Sequence, residues 1–192
     1  MKKILPIFIL VILVFSCKKK PQLALPTISI NSFPIEKASI RAILPKSKDT
    51  VFYAGSNGQI GYTFNSGKTW HSQSIRYQDS IYPEFRSIAT NTKDIFVLSV
   101  GNPALLYKLS GQKVQRVYKE EDQRVFYDAM CFFDTDKGMA MGDPTAADCL
   151  SVITTKDGGL SWQKKSCTDL PKTYKDEAAF AASNTNIKSI DN

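Results

Sequence analysis

The chain has 192 residues, of which 43% are hydrophobic, 11% aromatic and 22% charged. This apolar content is typical of a globular protein and excludes a wholly disordered chain. One His and four Cys are too few for a disulfide-rich miniature fold and leave little for a zinc site. The formal charge is +7, but much of the excess lies near the N-terminus, so we expect no nucleic-acid partner.

Residues 1–16 have the pattern of a secretory signal peptide. Two lysines precede an apolar run over residues 4–15, which is shorter than the roughly 20 residues of a membrane-spanning helix. Residues 14–17, VFSC, resemble a bacterial lipobox, in which Cys17 carries the lipid and residues 17–26 form the tether. The pattern predicts a lipid-anchored protein of the bacterial cell envelope, on the periplasmic or outer-membrane side. Ordinary signal cleavage, with Cys17 incidental, is the alternative.

Similar segments recur through residues 27–192 at intervals of roughly 45 residues, the length of a propeller blade. Within each segment, short β-branched and aromatic runs alternate with Gly, Asn, Asp and Ser, as strands alternate with turns. A lone four-stranded sheet cannot bury both of its faces, so each sheet is expected to be covered by its neighbours.

The predicted fold is therefore all-β: a partial β-propeller of about three four-stranded blades plus the opening strand of a fourth. The units span residues 38–80, 84–125 and 126–172, and the next one begins within residues 175–192. Since closed propellers have about four to eight blades, we expect a fragment, or an open array completed by another copy. Open sheet edges would allow self-association.

Two segments fit the turn motif S/T-x-D/N-x-G-x-S/T-W, and we call them box loops. The first, residues 63–70, contains Asn65, Gly67, Thr69 and Trp70, and the second, residues 155–162, contains Asp157, Gly159, Ser161 and Trp162. The middle unit keeps only Ser-Gly at 110–111. We interpret the loops as structural, with the acidic or amide side chain accepting backbone N–H groups and the Trp packing into the sheet. A metal or substrate role for these residues is the alternative; no metal or cofactor is expected.

The box loops resemble the Asp-box, or BNR, repeat of sialidase-like propellers. Openings such as FRSI at 85–88, together with GDP at 142–144 and EAAFAASN at 177–184, resemble the photosystem II stability/assembly-factor family. Within it, the likeness is to a bacterial secreted branch often labelled as oxidoreductases. The resemblance covers residues 38–187 and implies a propeller fold, but it implies no defined activity.

Cys149 and Cys167 are equidistant from Gly158, at the turn of the third unit. If the strands pair about that turn, the two side chains face each other across the ladder, and an envelope location favours their oxidation. We predict a disulfide between them. A bulge in the box loop could shift the register by one residue and separate the pair.

One alignment column of the repeats is charged. It contains Arg41, Arg86, Asp128 and Glu177, and it falls on the first strand of each unit, which lines the channel of a propeller. Mixed charges at a channel mouth make these residues a candidate binding surface, but salt bridges between neighbouring blades explain the same pattern, and we favour that interpretation.

Two functions are compatible with these features. The first is a non-catalytic, membrane-anchored scaffold that binds a protein or a glycan, with no catalytic residue. The alternative is a sialidase-like glycoside hydrolase, with Arg41 and Arg86 binding a carboxylate, Tyr127 as nucleophile and Asp128 as acid. A redox enzyme rests on a label alone, because the sequence lacks a Rossmann glycine pattern and a haem-attachment motif.

Overall fold

A computed structural model of the chain describes residues 27–146, 148–180 and 184–189. The predicted signal peptide, the lipobox and Cys17 lie outside these residues. The chain divides into two units, Met1–Phe33 and Pro34–Asn192. The described part of the first unit, residues 27–33, contains no helix or strand, and all the strands belong to the second. Within the described residues, no helix is long and apolar enough to cross a membrane.

In the described part of the chain, twelve strands form three four-stranded sheets, each in chain order and antiparallel. Sheet 1 consists of β1 (Ile40–Pro45), β2 (Val51–Gly55), β3 (Gln59–Thr63) and β4 (His71–Ser74). Sheet 2 consists of β5 (Phe85–Thr90), β6 (Ile95–Ser99), β7 (Ala104–Ser110) and β8 (Lys113–Glu120). Sheet 3 consists of β9 (Tyr127–Phe132), β10 (Gly138–Ala146), β11 (Cys149–Thr155) and β12 (Gln163–Lys164). The predicted all-β fold with three four-stranded blades is confirmed.

The sheets stack side by side, with sheet 2 in the middle. Its first strand, β5, lies between β1 and β9, so the first strands of the three sheets line one side of the stack. We call this side the inner edge. Every residue of β6 is buried, because both faces of sheet 2 are covered, and four of its five residues are apolar, as expected for a strand covered on both faces.

Strand periodicity assigns alternate residues of sheet 2 to two separate cores. Val97 packs with Ala54 and Ile60 in the core between sheets 1 and 2. Its neighbour Phe96 packs with Ile153 in the core between sheets 2 and 3. Successive side chains of a strand point to opposite faces, so one apolar run supplies both interfaces.

The two box loops have the same hydrogen-bond scheme. In the first, Thr63 Oγ1 accepts the N–H of Gly67 at 3.0 Å, and Asn65 Oδ1 accepts the N–H of Thr69 at 2.9 Å. Gly67 has a φ of +79°, and its counterpart Gly159 has +81°, a region in which glycine avoids the strain of a Cβ. Trp70 lies beside the Tyr53 ring, with 5.6 Å between centroids.

The second box loop repeats this scheme with a carboxylate. Thr155 Oγ1 accepts the N–H of Gly159 at 3.0 Å, and Asp157 accepts the N–H of Ser161 at 3.0 Å and its hydroxyl at 2.6 Å. Although burial acts to raise it, hydrogen bonds from Ser161 and Thr155 lower the pKa of Asp157 to about 2. The oxygens of Asp157 are thus engaged within the loop. The assignment of both loops to the sialidase-type repeat stays a prediction.

Cys149 and Cys167 form a disulfide, with 5.5 Å between their Cα atoms. The predicted bond is therefore present, but the predicted ladder contact is not. Pairing of Ile153 with Lys164, extended along the strands, would place Cys149 opposite Thr168. Instead, β12 ends at Lys164 and the chain turns into a 3-10 helix at Cys167–Asp169, which brings Cys167 to its partner.

The predicted opening strand of a fourth blade has no counterpart among the described residues. Residues 175–180 and 184–189 contain turns and irregular backbone. The rest of the predicted strand, residues 181–183, lies outside the described residues. The observed architecture is a partial propeller of three sheets.

Candidate binding site at the inner sheet edge

Three of the four predicted channel residues occupy one structural position. Arg41, Arg86 and Asp128 are each the extra residue of a β-bulge, at the point where the register of the first strand shifts against the second. A bulge re-aims a side chain out of the regular ladder. The same irregularity in three sheets therefore presents three charged side chains in equivalent places along the inner edge, and we call them the bulge residues.

One backbone hydrogen bond recurs beside each bulge. The N–H groups of Ser56, Val100 and Asp143 donate to the carbonyls of Ser39, Glu84 and Phe126, at 3.0, 3.0 and 2.8 Å. In each sheet the acceptor directly precedes the first strand. The donor directly follows the second strand in sheets 1 and 2 and lies within it in sheet 3. The repeat in sequence is therefore also a repeat in three dimensions.

The fourth predicted residue, Glu177, lies elsewhere. Its carboxylate accepts the N–H of Tyr174 at 2.7 Å within an exposed turn. The prediction that Glu177 shares the position of the bulge residues is wrong, because the segment 175–180 forms this turn and pairs with no strand.

The bulge residues differ sharply in burial. Arg41 is exposed, and Arg86 is half-buried with its guanidinium 5.6 Å from the centroid of the Phe126 ring. Asp128 is fully buried, and neither of its oxygens has a hydrogen-bond partner among the described residues. Burial, and then the charge of Asp143, raise the pKa of Asp128 to about 7, while the charge of Arg86 acts to lower it.

Asp143, on β10, completes a pair of carboxyl groups beside Arg86. Burial raises its pKa, and a hydrogen bond from the N–H of Ala179 acts to lower it. Its Oδ1 is buried and has no partner in the described part of the chain. Within that part, no three His, Cys, Asp or Glu side chains are grouped to hold a metal ion. What this pair can do is accept hydrogen bonds from N–H or O–H donors.

A polypeptide segment already lies against this edge. The Asn184 side-chain amide donates to the carbonyl of Ile88 at 2.6 Å and accepts the N–H of Ile88 at 3.1 Å. It also accepts the Ser87 hydroxyl at 2.5 Å. One carboxamide thus satisfies both backbone groups of a residue on the inner side of β5. The backbone at this edge thus forms hydrogen bonds with a segment that packs against it.

The inter-sheet ion pair involves residues that sequence reasoning missed. Lys164 on β12 pairs with Glu120 on β8 and donates to Thr145 Oγ1 at 2.8 Å. The hydroxyls of Tyr118 and Tyr127 donate to the other Glu120 oxygen at 2.7 and 2.8 Å. This network links sheets 2 and 3. Lys164 lies 44 residues from Glu120 in the sequence and no motif links the two, so no signal in the sequence pointed to their pairing.

The geometry opposes the glycoside hydrolase alternative. Tyr127 is fully buried, and burial, then the nearby Tyr118 and Glu120, raise its pKa. A nucleophile must reach the substrate and ionise readily, and Tyr127 does neither. Arg41, by contrast, is exposed, so the four residues of that hypothesis form no common open site.

Comparison with known proteins gives the fold. No protein-family model matches the sequence, and a search of curated proteins found no match. One similar solved structure is described as "YCF48 bound to D1 peptide", with 18% identity over 77% of this chain and 47% of that chain, at a TM-score of 0.53. Another is YCF48 from Cyanidioschyzon merolae, with 13% identity over 68% of this chain and 38% of that chain, at a TM-score of 0.51.

The chain spans less than half the length of either structure. YCF48 is a photosystem II assembly factor with a β-propeller fold. The expected likeness to assembly-factor propellers is thus confirmed at the level of fold, whereas the BNR repeat and the bacterial branch stay predictions. The three sheets of this chain are similar to part of a YCF48-type propeller.

Proposed function

We propose that the chain is a non-catalytic scaffold propeller that binds a polypeptide segment of a partner protein at its inner sheet edge. The observation that carries the proposal is the contact of Asn184 with both backbone groups of Ile88, because it demonstrates an edge to which peptide-like groups bind in the folded chain. A bound segment adds its own hydrogen bonds to such an edge, and nearby side chains supply the specificity.

The bulge residues supply that specificity. Arg41 and Arg86 favour acidic groups on the partner, since guanidinium groups pair with carboxylates through two parallel hydrogen bonds. Asp128 is fully buried and makes no contact with the partner itself; its carboxyl lies near Arg86 and interacts with the charge of that side chain. The similar structure of YCF48 contains a peptide, D1, bound to that protein, which supports a peptide ligand here without naming it.

The proposal includes a lipid anchor at Cys17 and a place in the bacterial cell envelope. Support comes from the signal-like residues 1–16 and from the basic stretch 18–20, which would lie beside anionic headgroups. Two or more acyl chains bind stably to a bilayer. The partner is then another envelope or membrane protein.

Cross-linking in intact cells tests the binding edge. Proteins cross-linked to the parent chain are compared with those of Arg41→Glu/Arg86→Glu, and a matched control reverses two exposed lysines of the box loops, Lys68→Glu/Lys156→Glu. We expect a partner that is retained by the control and lost in the arginine variant. Equal partner sets in all three would refute the proposal, and so would a partner set limited to copies of this chain.

Fractionation tests the anchor separately. The parent is expected in the membrane fraction and to incorporate a labelled fatty acid, whereas Cys17→Ser is expected to lose the label and the membrane association. Cys131→Ser controls for the loss of a thiol. An unlabelled parent would remove the anchor from the proposal without affecting the binding edge.

A further inference from the structure

A second candidate site lies between the outer parts of sheets 1 and 2, away from the bulge residues. It is a cleft of about 720 Å³, within the range of ligand pockets. The sheet 1 wall is an aromatic cluster of Phe52, Tyr62, Phe64 and His71, whose neighbouring ring centroids are 4.8–6.1 Å apart. Phe64 is 61% exposed. Exposed aromatic clusters of this kind mark interaction surfaces.

The cleft exists because one box loop is missing. In sheet 3 the loop delivers Trp162 onto Phe96 and Phe132, with ring centroids 6.3 and 5.7 Å away, and closes the interface with sheet 2. In sheet 2 the corresponding hairpin pairs Ser110 with Lys113 directly, so it is a two-residue turn without Trp.

The residues around the missing Trp have also changed. Phe52 and Phe96 are each the second residue of the second strand of their sheets. Phe96 contacts Phe132, which ends β9, with centroids 4.7 Å apart, whereas the residue that ends β5 is Thr90. Among the rings of the described residues, Phe52 therefore contacts only those of its own sheet and borders the cleft, whereas Phe96 contacts two aromatic rings of the next sheet. The space corresponds to that of an indole and its aromatic neighbour.

The charge at the cleft is positive. Lys46 and Lys93 line it together with His71, and none of the described lining residues is Asp or Glu. Lys46 Nζ donates to the carbonyl of Thr92 at 2.8 Å, across the mouth. Asp94 lies in the same connection between β5 and β6 as Thr92 and Lys93, but its carboxylate already pairs with Lys108 at 2.9 Å. The charge of the cleft thus favours an anionic occupant.

We propose that this cleft binds an aromatic side chain, flanked by carboxylates, from an acidic segment of a partner protein. The ring stacks on the Phe52–Tyr62–Phe64 cluster in the space that Trp162 occupies in the neighbouring interface, and the carboxylates pair with Lys46 and Lys93. The partner thus provides the aromatic ring that the middle repeat lacks. The inference concerns a different surface from the inner edge and does not depend on the bulge residues.

Defined peptides test the proposal on the full chain purified in detergent. Ac-DDWDD-NH₂ carrying 5-fluorotryptophan is titrated by ¹⁹F NMR, and its unlabelled form is compared by calorimetry with Ac-DDADD-NH₂ and Ac-KKWKK-NH₂. We expect the acidic Trp peptide to bind about tenfold more tightly than either of the others. Equal affinities of the Trp and Ala peptides would overturn the proposal, and so would tighter binding of the lysine peptide.

Matched variants locate the peptide. Phe64→Ala is expected to weaken binding about fivefold and Lys93→Gln about threefold, while the controls on sheet 3, Phe133→Ala and Lys137→Gln, have no effect. Leu109→Trp is designed to fill the cleft and abolish binding. The exposed Phe64 provides a test that remains valid if that variant does not fold.

Two further outcomes separate the alternatives. The Arg41→Glu/Arg86→Glu variant is expected to bind the peptide like the parent, so failure of the inner-edge proposal and failure of this one are distinguishable. Concentration-dependent dimerisation that Phe64→Ala abolishes, with no peptide binding, would assign the cleft to a second copy of the chain and overturn the proposal.

Discussion

The two inter-sheet interfaces come from the same repeat but are closed in different ways. Between sheets 2 and 3, Trp162 is 6% exposed and packs on Phe96 and Phe132, and the Asn91 amide donates to the carbonyl of Gly158 in the box loop at 2.8 Å. Between sheets 1 and 2, the hairpin turn at 110–113 carries no such loop, and a cleft remains. The box loop of one sheet thus seals its interface with the preceding sheet.

The two tryptophans of the box loops differ in their burial and in the residues that they contact. Trp162 lies in a two-sided core, whereas Trp70 is half-buried beside Tyr53 on the face of sheet 1 that points away from sheet 2. Two copies of one motif therefore contribute differently, because the presence of a neighbouring sheet decides what each Trp contacts.

Removing the Trp162 ring should destabilise the chain more than any other change considered. Trp162→Ala should lower the free energy of unfolding by about 4 kcal/mol, the range for large aromatic truncations in a core. Trp70→Ala should cost about 2 kcal/mol or less, since the ring is only half-buried. Urea unfolding followed by circular dichroism measures both; equal losses would contradict the distinction between the interfaces.

The disulfide joins β11 of sheet 3 to the 3-10 helix that follows the sheet. Cys149→Ser/Cys167→Ser should lower the free energy of unfolding by about 3 kcal/mol, from the entropy of a loop of this length in the unfolded chain. Reduction of the parent should produce a similar loss and should leave the double variant unaffected. A single Cys131→Ser variant, outside the bridge, is the control, and destabilisation by reductant in the double variant would argue against this account.

The inner edge should give the chain a pH-dependent stability. Because the pKa of Asp128 is about 7 in the folded chain and about 3.9 when unfolded, the folded state loses stability as the pH rises from about 4 to 7. Because Arg86, which interacts with Asp128, is only half-buried, solvent screens part of this effect, and we expect the parent to lose about 2 kcal/mol between pH 4.5 and 7.5 relative to Asp128→Asn.

Unfolding of both proteins across this range measures the difference. Asp79→Asn, in an exposed loop, should run parallel to the parent. Parallel curves for the parent and Asp128→Asn would show that Asp128 does not titrate in this range.

Phe96 and Phe52 occupy equivalent positions in sheets 2 and 1, and replacing them should have the smallest effects on stability. Phe96→Leu should cost about 1.5 kcal/mol, because the ring is fully buried and the smaller side chain leaves a void. Phe52→Leu should cost about 0.5 kcal/mol, since its ring borders the cleft. Thermal unfolding of the pair is the measurement, and a larger loss for Phe52→Leu would indicate that the cleft closes in solution.

Local features were predictable from the sequence, because each depends on residues close together in the chain. Strands and turns follow from apolar periodicity and turn residues, and the box loops follow from Thr, Asp or Asn, and Gly at set spacings. The alignment of Arg41, Arg86 and Asp128 also reported a real equivalence, since each sits in the same bulge. For Glu177 the alignment failed, because similar letters recur there without the pairing strand.

A β-rich, repetitive chain whose sheets need neighbours follows from strand and turn preferences, which act over a few residues. Packing between distant segments settled the burial of Asp128, the contact of Asn184 with Ile88, the pairing of Glu120 with Lys164 and the cleft between sheets 1 and 2. Burial, inter-sheet ion pairs and cavities depend on which side chains meet across an interface, and no preference that acts over a few residues specifies that.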